Sequence, residues 1–454
     1  MDDTAFDRAA GLIGRLVPRM PAGRITGVSA AGLVAGGLSH HARLGARAEI
    51  LRERGPLPAE VVRIGGPEVL LLPEGNSEGV GLGDPVRLVP APAFAPHGDW
   101  IGRVIDPDGQ PLDGRPLLPG LAPRPLHMAP PAAQGRRALG ARLATGFAVL
   151  DTLLPLVRGQ RIGLFAGSGV GKSTLLAGLA TGVEADVIVI GLVGERGREL
   201  RHFIDEVLGP EGMRRAVVVA ATSDRAPQLR LRAAHAATAV AEHFRDRGQN
   251  VLLLLDSVTR FAEAHRELAA AGGEPAGLRG FPASTGPAIA ALCERAGPGG
   301  TSQGDITAVY SVLVAGSDME EPVADMLRGV LDGHVVLDRT IAEGGRFPAI
   351  DVLRSVSRAL PAAAGPAENR LIAEARAHLG VHDRAAMMIR AGLYAAGSDP
   401  QTDAAIAAQP ALEAFLALRP TGGTDASFVA LRQALATARQ VPGAGDQPRS
   451  IRRP

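Results

Sequence analysis

The chain has 454 residues, more than one hydrophobic core usually holds, so two or three domains are expected. An apolar content of 46% with 21% charged residues excludes a disordered chain, and 48 basic against 47 acidic residues give no sign of a nucleic-acid partner. The aromatic content of 3% disfavours a base-stacking surface, and the single cysteine, Cys293, excludes internal disulfides. No apolar run reaches the roughly 18 residues of a membrane helix, and the acidic N-terminus lacks the pattern of an export signal, so a cytoplasmic location is expected.

Residues 1–20 have the spacing of a helix. Phe6, Ile13 and Val17 recur at helical intervals, and two prolines then end the pattern. Such a helix either packs on its own domain or serves as a docking peptide for a partner protein.

Residues 21–95 are predicted to form a small β-barrel or sandwich, because short apolar runs alternate there with glycine and proline. The expected strands are RITGVS, RAEIL, EVVRIGG, EVLLLP and PVRLV. The following DPDG at 106–109 superficially resembles a calcium loop. No glutamate follows at the required spacing, so a turn is favoured. The proline-rich residues 116–134 predict a linker into the next domain.

Residues 96–360 are predicted to form an α/β domain with a mostly parallel sheet, beginning with a hairpin and linker at 96–150. Its strands are near-continuous apolar runs, as expected when helices cover both faces. The expected strands are 161–167, 185–195, 216–222, 251–257 and 306–314. Strand patterns cease after Pro361, which predicts a helical domain over 361–440 and a disordered tail at 441–454.

A phosphate-binding loop is predicted where the strand RIGLFAG meets the helix KSTLLAGLATG. Glycines let the backbone amides turn towards phosphate oxygens, and the helix N-terminus adds partial positive charge. Lys172 would neutralise the transferred phosphate and Ser173 would provide an oxygen to Mg²⁺. Ala166 replaces the usual first glycine, and we expect it to be tolerated if its φ is negative. The predicted nucleotide-binding residues of the loop are Gly167, Ser168, Gly169, Val170, Gly171, Lys172, Ser173 and Thr174.

Two carboxylates are predicted at the carboxyl edge of the sheet, where ligands bind in such folds. Asp256 ends the strand VLLLLD, which follows the phosphate loop by about 80 residues as a Walker B aspartate does, and it could hold Mg²⁺ through water. Glu195 follows the strand that ends at Gly194. It could orient the attacking water, or it could be an ordinary acid at a helix start.

Several motifs together resemble the flagellum-specific export ATPases, which are relatives of the injectisome ATPases and of the α and β subunits of rotary ATP synthases. They are FAGSGVGKSTLL, GERGREL, HFRDRGQNVLLLLDSVTRFAEAHREL, GEPAGLRGFPAS, EPVADMLRGVLDGHVVLDR and FPAIDVLRSVSR. The resemblance covers about residues 25 to 435. It implies a RecA-like P-loop NTPase core, preceded by a β-barrel and followed by a helical domain, and Ala166 agrees with the export branch.

The resemblance also implies the roles of individual residues. Glu195 matches the catalytic glutamate, with Arg196 beside it, and Arg260 matches an arginine directed at the γ-phosphate. Phe347 matches the aromatic residue that packs on adenine. Arg358 matches an arginine finger given in trans to the neighbouring subunit, although without the resemblance it would pass for a surface arginine. ATP and Mg²⁺ are the implied substrate and cofactor.

The choice among related functions depends on which residues share one chain. Rotary synthases divide the catalytic glutamate and the finger arginine between two subunits, whereas this chain contains both Glu195 and Arg358. This favours a homohexameric export ATPase over a synthase subunit. A ring helicase would need a basic, aromatic single-strand site, and a scaffold without enzymatic activity would have lost Lys172 or Glu195. An injectisome ATPase remains the alternative, because the two systems share these motifs.

The resemblance further implies several partners: a stator-like regulator at the N-terminal helix, a central stalk protein, membrane proteins of the export gate and chaperone–substrate complexes. It places the chain at the cytoplasmic face of the inner membrane.

Two segments differ from the motifs of the family or add to them. Ser284-Thr285-Gly286 replaces a Ser-Val-Phe-like run, and the glycine-rich residues 297–305 either face a pore or stalk or form a surface insertion.

Overall fold

A computed structural model of the protein describes residues 20–29, 32–314 and 319–438. The predicted helix around Phe6–Val17 and the predicted tail at 441–454 lie outside these ranges. Within them, no helix is both long and apolar enough to cross a lipid bilayer.

The N-terminal part forms a closed antiparallel β-barrel with strand order β1-β2-β5-β4-β3-β6. The strands are β1 Ala22–Ser29, β2 Gly32–Gly36, β3 Arg47–Arg52, β4 Gly55–Gly65, β5 Glu68–Pro73 and β6 Pro85–Val89. Alternate residues such as Ile25, Ile50 and Leu71 fill its interior. The predicted barrel is therefore confirmed. Strand β2 was not predicted, because its five residues GLVAG begin and end with glycine and carry a weak strand signal.

The central part is built on an eight-stranded sheet with order β14-β13-β8-β12-β11-β9-β10-β7. All neighbouring strands are parallel except β13 and β14. The strands are β7 Arg103–Ile105, β8 Arg161–Ala166, β9 Val187–Glu195, β10 Ala216–Thr222, β11 Val251–Asp256, β12 Ile306–Leu313, β13 Gly333–Leu337 and β14 Ile350–Ser357. The mostly parallel α/β core is confirmed. The sequence did not reveal β7, β13 and β14, because β7 and β13 are short and the apolar pattern of β14 is interrupted by Asp351, Arg354 and Ser355.

Helices cover both faces of this sheet, and three more form the C-terminal part. They are α1 Ala148–Asp151, α2 Lys172–Gly182, α3 Gly197–His202, α4 Gly209–Met213, α5 Pro227–Arg245, α6 Val258–Gly272, α7 Thr285–Glu294, α8 Pro322–Val330, α9 Arg339–Glu343, α10 Pro366–Arg390, α11 Pro400–Leu416 and α12 Gly423–Ala438. A π-helical turn, Phe203–Leu208, joins α3 to α4. The helical C-terminal part is confirmed. The two helical patterns ENRLIAEARAHLG and DRAAMMIRAGLYA in this part of the sequence suggest separate helices, but residues 366–390 form one continuous helix, α10. No glycine or proline breaks the pattern strongly enough to end it.

The proline-rich residues 116–134 do not connect two domains, contrary to the prediction. Strand β7 precedes them and already pairs with β10 of the central sheet. The stretch instead runs across the central part, where Leu126 accepts a hydrogen bond of 2.7 Å from Arg295. The prediction failed because a three-residue edge strand leaves almost no sequence pattern. The turn predicted at 106–109 is present, since the Asp106 carboxylate accepts backbone hydrogen bonds from Asp108 and Gln110.

An ion cluster joins the barrel to the central part. Arg232 of α5 reaches Glu60 at 2.6 Å and Glu74 at 3.1 Å, and both acids belong to or follow barrel strands. Arg47 of β3 pairs with Glu74 at 2.9 Å and also contacts Asp108. Arg232 and Glu74 have side chains that are only 9% exposed, so these pairs fix the barrel against helix α5.

Candidate active site

The phosphate loop joins β8 to α2 at the carboxyl edge of the sheet. Gly169 and Gly171 have φ values of +77° and +85°, a left-handed region that residues with a side chain rarely adopt, so both positions require glycine. Ala166 is instead the fully buried last residue of β8, paired with Leu313 of β12. It is not among the residues with positive φ, which explains how alanine is accommodated there.

A cavity of about 1100 Å³ opens beside this loop. Segments that are far apart in sequence meet at it, chiefly the loop with the first turn of α2, the end of β9 and the N-terminal half of α6. Most of the predicted site residues line it, namely Gly167, Ser168, Gly169, Gly171, Lys172, Ser173, Thr174, Glu195, Arg196 and Arg260. Val170 does not, because its side chain is 2% exposed and packs in the hydrophobic core, which leaves only its backbone for a ligand.

Lys172 and Asp256 are in direct contact through Nζ and Oδ1. Asp256 also accepts a hydrogen bond of 2.6 Å from Ser311 Oγ, on the adjacent strand β12. Both contacts are made by the same oxygen, Oδ1. Asp256 and Ser311 are 5% and 0% exposed, so the carboxylate is largely shielded from water. Ser311 had not been recognised from the sequence, although a serine within the apolar run ITAVYSVLV is a weak signal of a buried polar contact.

Glu195 ends β9 and lies 3.8 Å from Lys172 Nζ. Burial and the nearby negative charge of Asp256 raise the pKa of the Glu195 carboxyl to about 7, and the attraction to Lys172 only partly opposes them. A carboxyl with a pKa near neutrality is suited to accept a proton from water.

The two arginines predicted beside Glu195 differ in their surroundings. Arg260, in the first turn of α6, donates a hydrogen bond of 2.7 Å to Glu263 and is partly buried against the cavity wall. Arg196 has a side chain that is 81% exposed and pairs with Glu199 at 3.3 Å. The structure therefore fixes Arg260 at the cavity and leaves Arg196 largely in solvent.

Phe347 approaches the phosphate loop from the start of β14, which lies at the same edge of the sheet and two strands away from β8. It lies between α9 and β14, and its ring carbons are 3.2–3.3 Å from where a Cβ on Gly171 would stand. The ring is 52% exposed. An exposed aromatic face beside a phosphate loop can stack on a nucleotide base.

Asp256 and Phe347 contact the phosphate loop without lining this cavity, whereas Arg358 neither lines it nor has a hydrogen bond to the loop in the described residues. It follows β14 at the edge of the sheet, it is exposed, and its guanidinium donates to the carbonyl of Arg328 at 3.1 Å. It is not among the residues that line the cavity of its own chain.

The residues at the loop fit a magnesium ion bound together with a nucleotide. Ser173 and Asp256 share a smaller cavity of about 250 Å³ with Glu195, and hydroxyl and carboxylate oxygens are the donors that Mg²⁺ prefers. Across the described residues, no group of three or more His, Cys, Asp or Glu could hold a metal by itself. The donor set therefore suits an ion whose remaining ligands are phosphate oxygens and water.

Two segments noted in the sequence lie apart from the phosphate loop. Ser284 donates to Glu274 through Oγ at 2.6 Å and through its backbone at 3.0 Å, so the Ser-Thr-Gly run is well anchored at the start of α7. Residues 297–305 precede β12, at the amino edge of the sheet, and Gly299 and Arg137 are tied there to Asp305.

Comparison with known proteins identifies the family. The nucleotide-binding domain model of the ATP synthase alpha/beta family matches residues 146–357, and that of the C-terminal domain of the T3SS EscN ATPase matches residues 364–436. The flagellum-specific ATP synthase of Caulobacter vibrioides is 47% identical over 432 residues, which cover 93% of this chain and 97% of the relative. The type 3 secretion system ATPase of Pseudomonas syringae pv. syringae is 44% identical over 389 residues, covering 83% and 85%.

Solved structures give the same result. The assembled ATPase EscN from the type III secretion system of enteropathogenic E. coli superimposes with a TM-score of 0.83 at 36% identity, covering 91% of this chain and 100% of the other. EscN in complex with its central stalk EscO gives a TM-score of 0.80 over the same shares of the two chains, also at 36% identity. The chain therefore belongs to the ATPase family of flagellar and type III secretion systems, which shares its nucleotide-binding domain with the α and β subunits of ATP synthases.

Proposed function

We propose that this chain hydrolyses ATP to ADP and phosphate, and that this hydrolysis drives or regulates protein export through the flagellar type III secretion apparatus. The observation that carries the proposal is the convergence of the phosphate loop, Glu195 and Arg260 around one cavity. The flagellar assignment is supported by relatives 40–47% identical that bear the flagellum-specific name.

In the proposed reaction, water attacks the γ-phosphate in line with the departing ADP oxygen. The loop amides and Lys172 hold the phosphates, while Glu195 orients the water and accepts its proton. Arg260 stabilises the negative charge that spreads over the phosphoryl oxygens in the transition state. These side chains act before the reaction by fixing geometry, since phosphoryl transfer needs positioning more than covalent chemistry from the protein.

The adenine and the Mg²⁺ ion bound with the phosphates are assigned to other residues. Phe347 stacks on the adenine, consistent with its exposed ring beside Gly171. Ser173 and Asp256 hold Mg²⁺, which supplies charge neutralisation across the phosphate oxygens when it is bound.

We propose that Arg358 acts in trans, in the active site of the neighbouring subunit of a homohexameric ring. Its exposed position outside the cavity of its own chain supports this assignment. The assembled state of EscN, at a TM-score of 0.83, supports a ring. A shared site of this kind makes activity depend on assembly.

Further partners belong to the same proposal. A central stalk protein contacts the C-terminal side of the ring, as supported by the EscN–EscO complex. Residues 1–20, for which the sequence predicts a helix, dock a stator-like regulator. The ring acts at the cytoplasmic face of the inner membrane on export-gate proteins and chaperone–substrate complexes.

Two measurements test this function. The purified chain should release phosphate from Mg-ATP, and Lys172→Ala should abolish the release. Disruption of the gene in its own organism should stop flagellin secretion and swimming. Loss of injectisome secretion with swimming unchanged would replace the flagellar assignment with the injectisome alternative, which the Pseudomonas syringae relative supports.

A further inference from the structure

We propose that Glu263 is a positioning residue that holds the Arg260 guanidinium in its working orientation at the γ-phosphate. The inference rests on the proposed function, because it concerns the hydrolytic site. Glu263 lies one helical turn after Arg260 on α6, and both side chains line the cavity beside the phosphate loop. Arg260 Nη1 donates to Glu263 Oε2 at 2.7 Å.

The backbone and the packing around Arg260 fix where its side chain starts. Its backbone N–H donates to Ser257 Oγ at 3.3 Å, which caps the N-terminus of α6. The aliphatic part of Arg260 lies against Gly194, where a Cβ would come within 3.0 Å of the Arg260 Cβ. These contacts fix the direction in which the side chain leaves the backbone. They do not fix the outer side-chain torsions, which decide where the guanidinium lies.

The end of the side chain is subject to competing attractions. The Glu263 hydrogen bond is the main reason that the pKa of Arg260 is raised, and Glu195 and Glu199 add weaker attractions of the same sign. A guanidinium free to turn could therefore pair with Glu195, the proposed base. Such a pair would remove Arg260 from the phosphate site and occupy the carboxylate that should orient water.

The Glu263 hydrogen bond settles this competition. Its partners are partly shielded, with side chains 41% and 28% exposed, so the pair is not a fully solvated surface contact. Within the cavity, Glu267 pairs instead with Arg230 at 2.6 Å, and that pair does not involve Arg260. Glu263 is thus the acid whose direct contact with Arg260 keeps the cation and the base apart.

A steady-state kinetic series on the full, ring-forming chain tests the inference. Glu263→Ala should lower kcat about tenfold and change the KM for ATP less than about twofold, because misplacing a catalytic group mainly affects the transition state. Glu263→Gln keeps an oxygen acceptor of the same length and should retain kcat within about threefold. Arg260→Ala should lower kcat about 100-fold, and adding Glu263→Ala to it should cause no further loss.

The control is Glu211→Ala, which removes an equal charge from an i,i+3 Arg–Glu pair at 3.5 Å on α4, where both side chains are more than three-quarters exposed. It should keep parental kcat, and gel filtration with Mg-ATP should show unchanged assembly for every variant. If Glu263→Ala fails to assemble, Glu263→Leu replaces it in the same comparison, since it also removes the acceptor: a tenfold loss of kcat that vanishes in the Arg260→Ala background supports the inference, and parental kcat overturns it.

Two other outcomes contradict the account at different levels. Parental kcat in Glu263→Ala, or an equal further loss in the Arg260→Ala background, would overturn the positioning role alone. A parent chain without Mg-ATP hydrolysis that depends on Lys172 would overturn the proposed function and this inference with it.

Discussion

Two edges of the central sheet contribute differently to the candidate site. At the carboxyl ends of β8, β9 and β11, the residues Lys172, Glu195 and Asp256 lie in mutual contact or within 3.8 Å, and they are mostly buried. At the outer edge, the antiparallel strand β14 leads to Arg358, which is exposed and whose guanidinium donates to the backbone carbonyl of Arg328.

The difference shows how much of the chemistry one chain can complete. The first edge has the groups to which the proposed mechanism assigns phosphate binding and water orientation, and each of them contacts neighbours within the same chain. The second edge presents a cation outward, where an exposed arginine has little effect on its own chain. In the proposed mechanism, a subunit therefore contains the binding site but only part of the transition-state stabilisation, and the neighbouring subunit of the ring supplies the remainder.

The largest expected effect comes from removing the outward cation. Arg358→Ala should lower kcat about 1000-fold, the lower end of what an arginine finger contributes, and should leave nucleotide binding to the isolated chain within about twofold. Phosphate release and binding of a fluorescent ATP analogue measure the two quantities. A loss of binding equal to the loss of kcat would place Arg358 in its own chain's site. The two edges of the sheet would then serve the same active site.

The next effect concerns a residue that lies near the outer edge but faces inward. Phe347→Ala should raise the KM for ATP about tenfold, because stacking on a base contributes about 1–3 kcal/mol, and should change kcat little. Phe347→Tyr keeps the ring and is the matched control. Equal KM values for Phe347→Ala and the parent would remove the residue from the adenine site.

The smallest expected effect concerns the carboxyl ends of β8, β9 and β11. It tests whether Asp256 depends on its hydrogen bond from β12. Ser311→Ala removes one hydrogen bond to Asp256, worth about 1 kcal/mol, so kcat should fall about fivefold. Ser311→Thr keeps the hydroxyl and controls for the change of side chain. If Ser311→Ala retained the parental rate over a range of Mg²⁺ concentrations, Asp256 would need no support from β12.

The sequence predicts those features of the fold and site that are marked by a clear pattern in the neighbouring residues. The phosphate loop follows a strand with a clear apolar run, and Glu195 and Asp256 each end one, so their position at the carboxyl edge was predictable. The short strands β2 and β7 were not, because three to five residues leave little pattern.

The remaining site residues depend on tertiary structure. Phe347 reaches Gly171 only because β14 turns back antiparallel to β13, and no local pattern encodes that contact. Family resemblance pointed to Phe347 and Arg358, whereas the residues alone did not. Glu263 was overlooked because its meaning depends on which of three nearby acids Arg260 contacts, and that is decided by side-chain geometry.

A mixing experiment tests the shared active site most directly. Lys172→Ala and Arg358→Ala chains should each be nearly inactive alone, but a mixed ring places an intact loop beside an intact arginine at some interfaces. With random assembly from equal amounts, activity should recover to roughly a quarter of the parental rate and should fall as the ratio departs from one to one. If mixed rings form, as shown by co-purification of differently tagged chains, and no activity returns at any ratio, Arg358 does not act in the neighbouring subunit and the central claim is wrong.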